Sequence, residues 1–267
     1  MTDLLAGAAF AWCGAYAVLM LYFCLLAVCR SRDGFEYALS GVACAFLCAY
    51  AFCNARHYHS GAPEDSAEWL RRVLVFAGAA SVLVLHATCL YAEVTRHVRR
   101  WVAGVGYGGA LLSVAANTGG VVYSPHLGHR TLRFYALEYQ EYRWEPRPTF
   151  TYLIVFILAV AVAILFLVVR VYLKGKREAL LASLGGLVVT ACVVNDILVF
   201  EGVRNTIHLS EHGMSAFALG LSCTFLSKHA RRSDEVVAEG RTLGRRARAL
   251  RESYERSRAE QEQEVTG

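Results

Sequence analysis

The sequence predicts an all-α membrane protein, a bundle of seven transmembrane helices followed by a charged helical tail. Three observations lead there. Of 267 residues, 56% are hydrophobic, and the mean hydropathy of +0.37 exceeds that of ordinary soluble domains. Seven apolar runs, most of them near the roughly 20 residues that a bilayer core of about 30 Å requires, alternate with short polar breaks. From Ala230 onward the composition turns to Arg, Glu and Ala, as in a solvated helix.

In order, the predicted spans are Leu4–Cys29, Tyr37–Cys53, Trp69–Ala92, Trp101–Tyr123, Thr149–Leu173, Ala179–Phe200 and Gly213–Lys228, the last being the shortest. No basic segment precedes the first run, and its length suits a span better than a cleavable signal. Residues 1–229 thus form the membrane domain and residues 230–267 the tail.

Orientation follows from the basic residues. The breaks Arg30-Ser31-Arg32, Thr95 to Arg100 and Lys174-Gly175-Lys176-Arg177 are short and basic, whereas Asn54–Glu68, Ser124–Pro148 and Glu201–His212 are longer and mixed in charge. Cytoplasmic loops retain the positive excess, so the amino terminus is expected outside and the tail in the cytoplasm of an inner membrane. The outer segment Ser124–Pro148 contains the near-alternating Thr131-Leu132-Arg133-Phe134-Tyr135, which reads as a short hairpin or an interfacial lid.

The formal charge of +5 flanks the apolar runs and carries topology, which excludes nucleic acid as an expected partner; membrane lipid is the expected surrounding. All nine cysteines lie in or at the edge of apolar runs without CxxC spacing, so they read as buried thiols, not disulfides or a zinc knot.

Polar groups inside apolar spans are costly and therefore mark candidate sensing positions: His86, Asn117 beside Thr118, and the Asn195-Asp196 pair. Asp196 sits near the outer end of its span, where Arg71 or Arg72 could neutralise it. The same pair could instead fix helix register. Six histidines, His57, His59, His126, His129, His208 and His212, fall in the predicted outer segments. They are candidates for pH sensing or for metal, with Asp196 or Glu211 able to complete a zinc-like shell, but no HExxH is present and solvated loop histidines are the favoured reading.

No cofactor is expected. Retinal would need a lysine in the middle of the last span, and Lys228 lies at its inner boundary. Nucleotide loops, GxSxG elbows and kinase motifs are absent, and Gly104 to Gly109 reads as close helix packing. No residue is assigned as catalytic.

In the tail a heptad frame places Ser233, Gly240, Ala247 and Tyr254 at a, and Val236, Leu243, Leu250 and Ser257 at d. The seam of Val236, Leu243, Ala247, Leu250 and Tyr254 is thin, and Gly240 and Gly244 each cost the helix about 1 kcal/mol relative to Ala. A weak homodimer is expected, the alternative being a juxtamembrane helix alone.

The stretch Asn195-Asp196-Ile197-Leu198-Val199-Phe200-Glu201-Gly202, followed by a final span and Ser227-Lys228-His229-Ala230-Arg231-Arg232, resembles the last two helices of bacterial seven-helix sensor regions. These are the membrane modules of sensor histidine kinases, diguanylate cyclases and adenylate cyclases, including seven-transmembrane receptors with diverse intracellular signalling modules. Ala62 to Arg72 is similar to the entry of their third helix. The resemblance implies a non-enzymatic receptor that detects an extracytoplasmic or intramembrane stimulus and relays it through the seventh helix. Before Gly267 there is no phosphoacceptor region, ATPase or cyclase, so an output domain missing from the chain or a separate cytoplasmic partner is implied. Two other classes compete: a zinc-dependent seven-helix hydrolase of the ceramidase or progestin-receptor type, and a small transporter. Ser81, His86, Asp196, His208 and His212 fit the former poorly, and no internal repeat supports the latter.

Overall fold

The computed structural model describes residues 2–29, 34–134, 137–204 and 206–266. Among these, seven long α-helices run in sequence: α1 Thr2–Cys29, α2 Gly34–His59, α3 Pro63–Tyr91, α4 Arg96–Thr118, α5 Phe150–Leu173, α6 Leu180–Phe200 and α7 Ser210–Thr266. A short 3-10 turn, Arg177–Ala179, leads into α6. Two antiparallel strands, β1 Tyr123–Phe134 and β2 Leu137–Pro146, lie between α4 and α5. The chain divides into two compact units, Met1–Ser222 and Cys223–Gly267.

Five helices, α1, α2, α3, α5 and α6, are long and apolar enough to cross a membrane. Their outward faces carry exposed Leu21, Leu25, Val155, Phe166 and Leu187, an arrangement that water would penalise and lipid would not. α4 and α7 fall outside that group by composition. Arg96, Arg99 and Arg100 open α4, and most of α7 is the charged tail. Helix α4 also begins earlier and ends earlier than the apolar run Trp101–Tyr123, because Gly119 and Gly120 close it and Tyr123 starts a strand.

Lipid supplies no hydrophobic force between helices, so contact rests on close packing of small residues. A Cβ on Gly185 would lie 2.8 Å from the Cα of Phe217, and one on Gly213 would lie 2.9 Å from the Cα of Val189, so both glycines allow α6 and the start of α7 to approach backbone to backbone. Gly106 of α4 sits against Val82 of α3, and Gly109 against Phe156 of α5. The glycine cluster of α4 therefore packs the helix, as its sequence suggests.

The hairpin alternates as a strand pair must. Leu132 of β1 and Tyr139 and Glu141 of β2 point into the protein, while Arg133 and Glu138 pair in solvent at 2.9 Å. Leu132 and Tyr139 join Ala6, Ala9, Ala55, Tyr58 and Val199 in one apolar cluster, which seats the hairpin on the ends of α1, α2 and α6. Two arginines fasten it further. Arg130 donates to the carbonyl of Val199, which also accepts the N–H of Gly202, and Arg143 to that of Phe200, at 3.3 and 3.4 Å in the second case, so cations sit at the negative C-terminal end of α6.

The second unit is helical through Thr266. Leu243, Leu250 and Tyr254 are 63, 70 and 71% exposed, so the heptad seam is uncovered in the single chain; Ala247 is likewise exposed. The side chain of Val236 lies outside the described ones.

Substituting Gly185 by Val is expected to lower the stability of the bundle by about 1–3 kcal/mol, through the clash with the backbone of α7. Gly108→Ala, which meets open space, is expected to be neutral or stabilising by up to about 1 kcal/mol. Unfolding midpoints in detergent measure both.

Candidate functional site

At the end of the bundle where α2, α6 and β2 meet the start of α7, several polar side chains are buried together. The Asn195-Asp196 pair organises them. The Asp196 carboxylate accepts the backbone N–H of Leu209 at 2.6 Å and of Ser210 at 3.0 Å, the Ser210 hydroxyl, and the Asn195 amide at 3.1 Å. Asp196 thus caps α7 from a neighbouring helix, meeting the first orphan donors and the positive end of the helix dipole. Asn195 closes the connecting loop by donating to the carbonyl of Ile207 and accepting from the hydroxyl of Thr206, both at 3.2 Å.

That loop delivers His208. Its Nε2 donates to Glu141 at 2.7 Å, and its Nδ1 lies 3.8 Å from Asp196. The Glu141 side chain is fully buried, and Arg130 approaches its other oxygen at 3.4 Å. Burial alone would push the Glu141 carboxyl up, but His208 above all, with Arg130, holds it well below the carboxylate range, at about 2. Burial alone would lower His208; the carboxylates of Glu141 and Asp196 outweigh it and raise the imidazole above its ordinary value. Each group thus favours the charged form of the other.

His57 has a different role. Its Nδ1 donates to the carbonyl of Ser66 at 2.8 Å, its carbonyl accepts from the Ser66 hydroxyl at 3.1 Å, and its Nε2 accepts from Tyr139 at 3.2 Å. One neutral tautomer satisfies all these bonds and ties the α2–α3 turn to β2.

Beneath these groups lies a cavity of about 80 Å³, room for several waters at the roughly 10–15 Å³ that one requires. Asp196, Glu211, His57, His208, Tyr50 and Tyr58 line its polar end, and Val73, Ala77, Ile154, Ile157, Val193 and Met214 are among its apolar walls. Glu211 is 5% exposed, and among the described residues its Oε1 has no hydrogen-bond partner; neither has the Nδ1 of His208. An open groove of about 350 Å³ beside β2, lined by Ser60, Glu138, Gln140 and Tyr142, shares His57 and Tyr58 with the cavity.

Of the positions that the sequence singled out, Asn195, Asp196, His57 and His208 converge here. The others do not. Arg71 does not neutralise Asp196. It donates to the carbonyl of Asn117 at 2.6 Å and receives the amide of Asn117 on its own carbonyl at 3.1 Å, locking α3 to the end of α4, with Glu68 at 3.3 Å. Arg72 is exposed, pairs with Glu68 at 3.5 Å and lies 4.6 Å from the centre of the Trp69 ring. His86, near the other end of α3, meets the Tyr107 hydroxyl at 3.0 Å. His212 accepts from Trp12 at 3.1 Å. His59 is exposed and 3.9 Å from Asp3, and His126 and His129 are exposed on β1. Among the described residues no group of three or more His, Cys, Asp or Glu could hold a metal ion. Sequence reasoning missed Glu141, Arg130, Tyr50 and Tyr58. The alternation of Tyr139 with Glu141 in a strand facing inward was the available signal.

Neither a scan of protein-family models nor a search of curated proteins finds a match to this chain.

The Glu141–His208 pair makes stability depend on pH from both sides. A depressed carboxyl contributes above its unfolded value near 4.5 and loses that contribution as pH falls toward 2. A raised imidazole contributes fully below 6.5 and loses it as pH rises through the higher folded value. Protection of β2 amides from hydrogen exchange is expected to be greatest between about pH 4.5 and 6.5 and to decline on either side. Glu141→Gln, which strands His208 and Arg130, is expected to cost about 3–5 kcal/mol and to flatten both limbs.

Proposed function

We propose that this chain is a sensory receptor module of the cytoplasmic membrane. On this reading all seven helices cross the bilayer, with the amino terminus and hairpin outside and the tail in the cytoplasm. A stimulus acting at the cavity biases the start of α7, and the tail, paired with that of a second copy, passes the change to a cytoplasmic signalling partner or output domain.

The observation that carries this reading is where α7 begins. Asp196 holds its first amides, and Ser210, Glu211 and Met214 of its first turns line the cavity. Whatever occupies the cavity therefore touches the helix whose continuous run, Ser210–Thr266, includes the tail. The uncovered Leu243, Leu250 and Tyr254 support a paired tail. Direct coupling of this kind needs an occupant with different affinities for two packings of the bundle, and it needs no reacting group. The resemblance of Asn195 to Gly202 and of the final helix to bacterial seven-helix sensor regions agrees with it.

Cysteine cross-linking in native membranes, in a background freed of the native thiols, tests the relay. Capture is expected at positions 243 and 250 and low at those between them. In the Asp196→Asn variant, which weakens the anchor of α7, the ratio of capture at these positions is expected to change. A flat profile would count against the paired tail.

A further inference from the structure

We propose that the cavity at the start of α7 is a binding site for a small organic monocation, an alkyl ammonium of a few carbons whose charged head meets Glu211 and whose apolar body lies between α3, α5 and α6. The proposal rests on the sensory reading of the same cavity and names the chemical class of its stimulus.

The charge inventory gives the sign. The groups gathered at this end are three carboxyls, Glu141, Asp196 and Glu211, and two basic side chains, Arg130 and His208. Burial and the neighbouring Asp196 push the Glu211 carboxyl up to about 8, so the empty cavity favours its protonated form and an ammonium head restores its charge. Glu141 takes both cations, with Arg130 at 3.4 Å and His208 at 2.7 Å. Asp196 is saturated by two backbone amides, a hydroxyl and the Asn195 side chain. Glu211 is left over, 95% buried, with Oε1 unpartnered inside the cavity. Among the described residues no lysine or arginine lines that space. An anion would face Asp196 and Glu211 beside only the His208 imidazole, which Glu141 already pairs at 2.7 Å and Asp196 flanks at 3.8 Å, and a wholly apolar molecule would leave the Glu211 oxygen unsatisfied.

The surroundings give the rest of the ligand. An ammonium brings up to three N–H donors, and the hydroxyls of Tyr50, Tyr58 and Ser210 lie on the same lining as Glu211 and can accept those that the carboxylate does not take. Tyrosine faces also favour a cation. The other walls are mainly apolar, Val73, Ala77, Ile154, Ile157 and Val193 among them, and the hydroxyl of Ser81 there is already given to the carbonyl of Ala77 at 2.7 Å, so the body of the ligand is hydrocarbon. Inorganic cations fit poorly, because carboxylate oxygens that could complete a hard-ion shell are already committed at Asp196 and Glu141. His57 and Tyr58, shared by the cavity and the groove beside β2, separate the site from the hairpin side.

The test uses the full chain in lipid nanodiscs, with heats measured against empty nanodiscs to remove partition into lipid. Three probes of similar shape differ in charge: propylammonium, 1-propanol and butyrate. Saturable binding of propylammonium is expected, with the alcohol about 10- to 100-fold weaker and the carboxylate weaker still. Glu211→Gln, of the same size, is expected to abolish the difference between amine and alcohol. If that variant does not fold, Ala77→Phe, which fills the apolar end and leaves Glu211 in place, is expected to abolish amine binding. Equal affinity for amine and alcohol, a preference that survives Glu211→Gln, amine binding that survives Ala77→Phe, or no saturable amine binding overturns the proposal. Tail capture at position 243 in the same samples separates the two readings. Amine binding with unchanged capture upholds the cation site and overturns the sensory role, whereas periodic capture without amine binding overturns the cation site alone.

Discussion

A carboxylate removed from water must find donors, and the way Asp196 finds them determines much of this end of the protein. Its partners are the first amides of α7, the Ser210 hydroxyl and Asn195. That choice fixes where α7 starts and shapes the loop from Glu201 to Leu209, because Asn195 holds Thr206 and Ile207 at the same time. Once the loop is set, His208 has one place to go, against Glu141. Glu141 lies opposite Arg130 in the strand register, so the hairpin is seated by the same chain of charges. Each step leaves a buried group unpaired if the preceding one is undone, which makes the arrangement cooperative.

Elsewhere the bundle relies on shape. Gly185 and Gly213 bring the backbone of α7 against α6, while Gly106 and Gly109 of α4 make room for the side chains of Val82 on α3 and Phe156 on α5. Polar fastening and close packing thus divide the work along α7. Its first turn is placed by Asp196, and the turns that follow, to Ser222, by glycine contacts and by buried hydrogen bonds such as that of Tyr16 with Ser215 at 2.7 Å.

Helix positions were legible because apolar length is a one-dimensional signal. The run Thr149–Leu173 matches α5 within a residue, and Ala179–Phe200 matches α6 equally well. Polar helix ends were not legible: α2 continues from Cys53 to His59 and α3 starts at Pro63 instead of Trp69, since buried His57 and Ser66 are stabilised by each other and not by composition. The Asn195-Asp196 pair announced itself as costly polarity in an apolar span. Its partners could not be read, because the donors are backbone amides, which every residue carries. The choice of Arg71 as the counter-charge followed from proximity to the same membrane face, yet Asn117 is the nearer acceptor and binds it reciprocally. Glu141 was hidden by a polar stretch whose inward face appears only when the strand register with β1 is known.

On the sensory reading, the anchor at Asp196 also limits how α7 can respond. Sliding the helix along its axis by a residue would pull Leu209 and Ser210 from the carboxylate and leave a buried charge without donors, a loss of several kcal/mol. Tilting or rotating about the anchored first turn keeps those bonds and changes the contacts of later turns. The glycines facing α6 allow such a pivot, because smooth backbone surfaces have no side-chain knobs to lift out of holes. An occupant that engages Glu211, one residue beyond the anchor, acts on the pivot at short range. Its effect is limited to the difference between its affinities for the two orientations. A thin, glycine-interrupted heptad seam suits so limited a push, since a weakly held coiled coil needs little energy to change its pairing.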